Sequence, residues 1–218
     1  MFFVFSYTFY MSNKIINTIA VIDSGIGGLS VLKRLINNNA KGNYIYFADN
    51  KNMPYGSKSK NFLLKRLTEI IDLLINKYKV DEIIVACNTA SSLLINYNNP
   101  KVKIMKFDNK TLYLGTPLLK KTLIKYNVIA DKTLAKEIEK NIFNSKQIEN
   151  LVNRHIKRYN IDKQKEICLG CTHYELVFEY FKKLCPDTII KCNSDLIPVR
   201  ATCGRPVKFP KNERNPQK

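Results

Sequence analysis

The chain has 218 residues, 45% of them hydrophobic, a formal net charge of +18 and six cysteines. That length supports one large domain or two small ones, each with a core. The cysteines, at 87, 168, 171, 185, 192 and 203, are too sparse and irregular for a disulfide-framed scaffold, so the thiols read as reduced and the protein as cytoplasmic. Lysines are dispersed among Asn and Ile, with no long basic run and no helix-turn-helix, zinc-finger or aromatic RNA-binding signature, which argues against a nucleic-acid partner.

In chain order, the first segment is MFFVFSYTFY, residues 1–10. It is too short to span a bilayer and lacks a positively charged start or a small-residue cleavage site, so it gives neither a signal nor a membrane anchor. Met11 follows directly, and residues 1–14 are expected to be an extension outside the fold, from an upstream addition or a misassigned start. From Ile15 strand and helix signals alternate. IINTIAVID ends at Asp23, the turn DSGIGGLS follows, and LSVLKRLINN has apolar residues at helical spacing. NYIYFADN, residues 43–50, is a second strand, the loop MPYG holds Pro54, Tyr55 and Gly56, and residues 62–78 form a long amphipathic helix. EIIVACN supplies a third strand. Such alternation implies parallel sheets with helices on both faces and ligands collecting at the carboxyl ends of the strands, just where Asp23, Tyr55 and Cys87 fall.

A short helix is expected after Ser91, and VKIMKFD and TLYLGTP read as two further strands. Residues 118–143 and 147–159 have helix-favouring composition, with His155 expected on an exposed helix face. The strand EICLG then carries Cys171, and residues 173–184 form one more helix. The tail from Ala201 is Pro-rich, basic and without periodicity. The expected organisation is a first α/β domain over 15–95, a second over 96–192, and a return segment with an irregular, truncated tail over 193–218.

Cys87 and Cys171 occupy matched settings, EIIVACNTAS and EICLGCTHYEL, in which an apolar run delivers a thiol to a loop and small polar residues follow. The glycines at 25, 27 and 28 fit neither the dinucleotide pattern nor a nucleotide-triphosphate loop. A lone Asp23 reads as a helix cap, and a lone Cys as core, which is the reading for Cys185, Cys192 and Cys203. A rival chemistry is metal or redox: Cys168, Cys171 and His173, completed by Cys185 or Cys192, have zinc-like spacing. Against it, Cys168 lies inside an apolar strand, and the idea leaves Asp23, Tyr55 and the Cys87 block unexplained.

Four segments together, DSGIGGLSVL at 23–32, ADNKNMPYGSKS at 48–59, VACNTAS at 85–91 and CLGCTHYEL at 168–176, resemble in order and spacing the glutamate racemases of the aspartate/glutamate racemase family. The resemblance covers about Ile15 to Asp195. It implies two similar three-layer α/β domains with mainly parallel sheets and the active site in the cleft between them. It also implies racemisation at the α-carbon without a cofactor, supplying D-glutamate for peptidoglycan, cell-wall biogenesis and cell shape in the cytoplasm. The weakly acidic α-hydrogen calls for a base on one face and an acid on the other, and thiols, with an ordinary pKa of about 8.5, suit either role. By resemblance Cys87 and Cys171 are those groups, assisted by Asp23 and His173. Asp23, Ser24, Pro54, Tyr55, Gly56, Asn88, Thr89, Thr172 and His173 match the positions that contact a small-molecule substrate, glutamate.

The resemblance implies no metal and no membrane, and it is compatible with a homodimer. Two departures stand out. A family acidic residue near the second thiol is matched only loosely, by Glu139. After NSDLIPVR the family chain returns to complete the first domain with further strand and helix, whereas here the Pro-rich tail follows. The competing readings are an aspartate racemase, a catalytically impaired remnant, and a basic or zinc-binding protein without enzyme activity.

Overall fold

The computed structural model describes residues 3–7, 17–38 and 42–196. Their strands form two sheets. The first is built from β1 (Phe3–Tyr7), β2 (Thr18–Asp23), β3 (Asn43–Ala48), β4 (Glu82–Val85) and β5 (Val102–Ile104), in the order β1-β3-β2-β4-β5. The second is built from β6 (Leu112–Gly115), β7 (Asn127–Ala130), β8 (Glu166–Gly170) and β9 (Ile189–Cys192), in the order β7-β6-β8-β9. All pairings are parallel except β1 on β3. Helices α1 (Leu29–Asn38), α2 (Lys60–Asn76) and α3 (Asn88–Leu93) flank the first sheet. Helices α4 (Pro117–Thr122), α5 (Leu134–Asn141), α6 (Ser145–Tyr159), α7 (Thr172–Glu175) and α8 (Phe178–Leu184) flank the second. The result is two α/β domains with mainly parallel sheets, as the alternation of strand and helix signals predicts.

The cores follow the faces of the sheets. Ala20, Ile22, Phe47, Ile83 and Val85 pack with Leu63, Leu67, Ile70, Ile71 and Leu74 of α2 on one face of the first sheet. Val21, Tyr44, Tyr46 and Ile84 meet Val31 and Leu35 of α1 on the other. Successive strand residues alternate between the two layers, and because both faces are covered the strands read as continuous apolar runs rather than as polar alternation. In the second domain Leu114, Ile167 and Leu169 pack against α5, α6 and α8, while Tyr113 and Cys168 pack on the opposite face with Leu119 and Leu123.

Several sequence expectations need correcting. Phe3–Tyr7, set aside as an extension, pairs antiparallel with β3 as an edge strand; a run of three aromatic residues with a valine, FVFSY, is strand-forming. Val102–Ile104, assigned to the second domain, hydrogen-bonds to β4 and belongs to the first sheet, which moves the crossover to the following loop. The stretch from 118 to 143 is not continuous helix. The four residues of β7 interrupt it, too short a strand to stand out within a Lys- and Glu-rich helical composition. β9 was not foreseen, and the helix expected over 173–184 is split into α7 and α8. The tail from 197 to 218 lies outside the described residues. None of the described helices is long and apolar enough to cross a membrane.

Candidate active site

Parallel strands of both sheets end at one cleft, which collects loops from both domains. From the first sheet, β2 runs into Asp23 and Ser24, and β4 runs into Ala86 and Cys87, the residue on which α3 begins. From the second, β8 runs into Cys171, on which α7 begins. The two blocks that look alike in sequence are thus alike in structure: a buried strand, a thiol at its end, and a short helix opening with Asn88 and Thr89 or with Thr172 and His173. Cys87 is 5% exposed and Cys171 8% exposed, and both line the cleft. Ser24, Pro54, Tyr55, Gly56, Asn88, Thr89, Thr172 and His173 line it too.

Asp23 lies just beneath the cleft, with no exposed surface. Its Oδ2 accepts the Gly25 N–H at 3.0 Å, and its Oδ1 accepts the Thr172 hydroxyl at 3.1 Å, a bond between the two domains. Burial pushes the Asp23 carboxyl above the usual carboxylate range, and the facing His173 and the hydrogen bonds only partly offset this. The Cys87 thiol, which donates to Ser24 Oγ at 3.9 Å, is pushed up by burial first and by the charge of Asp23 second.

The other side of the cleft is built differently. The ring of His173 is 2% exposed, and its Nε2 lies 2.7 Å from Glu139 Oε2 on α5. Burial alone would lower the pKa of this imidazole. Its hydrogen bonds to Cys171 and Glu139, reinforced by the charges of Cys171 and Asp23, outweigh burial and raise it to about 10. Glu139, only a loose match from sequence, is therefore a member of the site. The clue available was one acidic residue on a helix preceding the second thiol; its contact with His173 arises only when α5 packs on α7.

Glycine at two positions makes the close approach of the domains possible. A Cβ on Gly27 would stand 2.6 Å from the backbone carbonyl carbon of Thr172, and a Cβ on Gly56 would stand 2.5 Å from Thr116 Cβ. Thr116, at the end of β6, also shares a 2.9 Å hydroxyl contact with Thr89 across the cleft. It and Ala135 of α5 line the cleft without having been foreseen. Tyr55 is part of the wall, and its hydroxyl donates to Asp49 Oδ2 at 2.8 Å. That carboxylate is gripped twice by Arg66, at 3.1 Å each. Burial opposes the Asp49 charge, but Arg66, Asn52 and Tyr55 outweigh it and hold the carboxyl below its usual range. Asn88 Oδ1 accepts from Asn193 Nδ2 at 2.6 Å, and the Asn88 amide nitrogen is buried without an acceptor among the described residues.

Cys168 and Cys171, joined in the rival metal reading, serve different layers: Cys168 packs with Tyr113 and Leu119, Cys171 with the cluster around Leu169 and Tyr174. Among the described residues no group of three or more His, Cys, Asp or Glu side chains is placed to hold a metal ion. His155, expected on an exposed face, is 1% exposed and paired with Asp131. Its position was readable, since it continues the apolar stripe Ile148, Leu151, Val152, Ile156 of α6, but the flanking Arg154, Lys157 and Arg158 disguise it.

No protein-family model matches the chain. Among curated proteins, the glutamate racemase of Aliarcobacter butzleri strain RM4018 is 31% identical over 203 residues, which cover 78% of this chain and 77% of that one. The chain belongs to the glutamate racemase family. The glutamate racemase of Lachnospira eligens is 29% identical over 199 residues, covering 78% of this chain and 75% of that one. The fold agrees: the crystal structure of glutamate racemase from Thermus thermophilus in complex with beta-chloro-D-alanine superposes with a TM-score of 0.69. That match covers 83% of this chain and 77% of the other, at 25% identity. Family membership makes the protein an amino-acid racemase, an isomerase acting on a small molecule.

Proposed function

We propose that this glutamate racemase family member interconverts L- and D-glutamate without pyridoxal phosphate or metal, with Cys87 and Cys171 as the two proton-transfer groups. The observation that carries the reading is the placement of the two thiols at the ends of parallel strands in two sheets, facing one cleft, with Asp23 near enough for its charge to act on Cys87 and His173 hydrogen-bonded to Cys171. In one direction a thiolate takes the α-hydrogen as a proton, and the C–H electron pair is left on the α-carbon, delocalised into the adjacent carboxyl. The opposite thiol then delivers its proton to the other face and ends as thiolate. The reverse direction exchanges the roles of the cysteines, so inversion and the protonation states of the pair are linked. Thiols suffice as base and acid, so the chemistry needs no electron-sink cofactor.

The partners divide the work. A carboxyl raised by burial at Asp23 can hold a proton for Cys87, and a raised imidazole at His173 holds one at neutral pH for Cys171. No Lys or Arg is among the described residues lining the cleft, so the substrate carboxylates fall to amides and hydroxyls. The Asn88 amide nitrogen, buried and without an acceptor among the described residues, suits one carboxylate, and Ser24 and Thr89 offer hydroxyls in the lining of the same cleft. In this reading the product D-glutamate serves peptidoglycan synthesis and the enzyme works in the cytoplasm, the role of the family.

The test is solvent deuterium incorporation at Cα, followed by proton NMR with the purified protein, for L- and D-glutamate with L- and D-aspartate in parallel. Exchange with inversion of glutamate alone is the expected result. Exchange of aspartate in its place would reassign the substrate, and folded protein that exchanges none of the four would overturn the racemase reading.

A further inference from the structure

Outside the cleft, the second domain contains a buried acidic–imidazole pair that the proton-transfer chemistry does not use. Asp131 follows β7 and is 2% exposed; His155 lies in the middle of α6 and is 1% exposed. The two carboxylate oxygens of Asp131 do different jobs. Oδ1 accepts the N–H groups of Thr133 at 2.7 Å and Leu134 at 2.8 Å, which fastens the start of α5. Oδ2 lies 2.5 Å from His155 Nδ1. One carboxylate therefore ties the end of β7, the first turn of α5 and the middle of α6 into a single joint. Burial works against its charge, but His155 and the two backbone N–H groups prevail and hold it down at about 2, so the carboxyl stays ionised throughout the neutral range.

α5 is the element that the joint controls, and α5 is where the second thiol's partner originates. The helix carries Ala135, which lines the cleft, and one turn further along it carries Glu139, whose Oε2 meets His173 Nε2. Its apolar residues Leu134 and Ile138 pack in the same cluster as Ile148, Leu151, Val152 and Ile156 of α6. Apolar packing of this kind holds a short helix against its neighbour but tolerates sliding and rotation, because it is non-directional. A bidentate carboxylate at the first turn is directional, and it fixes both the height of the helix and its rotation. A second polar tie, the ion pair of Glu137 with Arg154 on the same two helices, is partly exposed and can do much less.

We infer that the Asp131–His155 pair is a positioning device for the reaction: it sets the register of α5 so that Glu139 reaches His173, and thereby governs the Cys171 half of the proton transfer. This rests on the reading that His173 serves Cys171. Besides each other, the pair faces Glu137, Tyr159 and the buried Tyr174 of α7, both tyrosines being raised by burial first and in part by the Asp131 charge. His155 Nε2 looks toward Glu137 Oε2 at 3.7 Å, the ring of Tyr159 lies 6.4 Å from that of His155, and Asp131 sees the N–H groups of α5. His173 in turn faces Glu139, Cys171 and Asp23.

The chain has two histidines in all, so any substitution of His155 leaves His173 as the one histidine ring to follow by NMR. The experiment uses the full chain as wild type, His155→Leu and His155→Asn. Leucine fills the space but leaves Asp131 Oδ2 without a donor; asparagine restores a donor near the position of Nδ1. The expected result is a His173 midpoint near 10 in the wild type. In His155→Leu it falls by at least a full unit toward the ordinary value of about 6.5, and in His155→Asn it largely recovers. In parallel kcat should drop about tenfold in His155→Leu with KM nearly unchanged, and return to within about twofold in His155→Asn. A folded His155→Leu protein with an unmoved His173 midpoint and an unmoved kcat would overturn the inference and reduce the pair to a purely structural role.

Should His155→Leu fail to fold, Asp131→Ser decides: its shorter hydroxyl can still cap α5 but does not reach His155, and an unchanged His173 midpoint there would equally overturn the inference. The titration needs no turnover. A wild type that exchanges no α-hydrogen therefore sinks the racemase reading, while the helix-positioning inference is judged on the midpoint alone.

Discussion

On the first-domain side of the cleft Cys87 has oxygen neighbours, the hydroxyl of Ser24 and the buried carboxyl of Asp23, and burial with nearby negative charge pushes its thiol up. On the second-domain side Cys171 has an imidazole, and that imidazole is held by a carboxylate one helix away. Two strand ends of matched sequence thus carry different partners shifted in the same direction: a carboxyl that resists ionisation on one side, an imidazole that resists losing its proton on the other. For a reaction run in both directions this is a sensible division. Each thiol needs a neighbour able to take and return a proton, and here both neighbours hold a proton more tightly than usual, one as a neutral acid and one as a cation. The comparison also teaches where to look for asymmetry. Enantiomers in water have equal free energies, so kcat/KM must be the same in both directions for any variant. Differences between the halves can show only in kcat and KM taken separately, and in which enantiomer picks up solvent deuterium.

The strongest way to break the comparison is to remove one thiol at a time. Cys87→Ser and Cys171→Ser are each expected to reduce racemisation by about a thousandfold or more, since a hydroxyl is a far weaker acid at the same position. Deuterium wash-in, followed separately from L- and D-glutamate, should be lost mainly for opposite enantiomers in the two variants. Identical residual patterns would mean that the thiols do not flank the α-carbon. A smaller effect is expected from Glu139→Gln, about tenfold in kcat, and it sharpens the electrostatic side of the contrast. The His173 midpoint is raised to about 10, with Glu139 as one of its supports, so removing that charge lowers it. The protonated form is present below the midpoint and lost above it. The alkaline limb of the kcat–pH profile should therefore move to lower pH in Glu139→Gln, while the acid limb stays where it is. An alkaline limb that does not move would detach Glu139 from the chemistry.

The same contrast explains what could be read from the sequence. The Cys87 half was legible nearly in full, because its residues sit in contiguous blocks: Asp23 and Ser24 end β2, and Cys87, Asn88 and Thr89 follow β4. The Cys171 half was legible only as far as its own block. Glu139 lies in LAKEIEKN, where every turn offers a charged residue, and nothing in the spacing separates it from Glu137; the distinction is made by α5 packing on α7. His155 was misread for a related reason, since its basic neighbours outweighed an apolar stripe that included it. β7 went unseen because four residues between helix-forming stretches carry too little periodicity, and the β5 placement failed because sheet membership depends on pairing, which is non-local.

Gly27→Ala acts on both halves at once and has a smaller expected effect. An alanine Cβ would lie 2.6 Å from the Thr172 backbone and 2.7 Å from the His173 amide nitrogen, atoms that cannot step aside as a flexible side chain would. The glycine turn would be pushed off the Cys171 loop, and the Thr172–Asp23 hydrogen bond between domains would lengthen. The expected outcome is a KM increase of about fivefold, alongside a loss of stability of about 1–3 kcal/mol typical of overpacking. A variant with wild-type KM and wild-type melting temperature would show that the two loops do not meet this closely in solution.

Least disturbing to activity is Glu175→Gln, which separates the pH dependence of stability from that of catalysis. Glu175 ends α7, 8% exposed, and its carboxylate accepts the backbone N–H and the hydroxyl of Ser194. Burial first, with the charge of Asp195 adding to it, outweighs those bonds and Arg34, and raises its pKa from 4.5 to about 7. Because the folded value is the higher one, the fold prefers the protonated acid. This contribution is fully present below the unfolded value near 4.5 and is lost as pH rises through about 7. Glutamine mimics the neutral form at every pH. The wild type should lose on the order of 2 kcal/mol between pH 5 and 8 from this group, about 5 °C in Tm, and Glu175→Gln should flatten that part of the curve with kcat unchanged. A Tm profile as steep in the variant as in the wild type would assign the slope to other groups and leave Glu175 ionised in the fold.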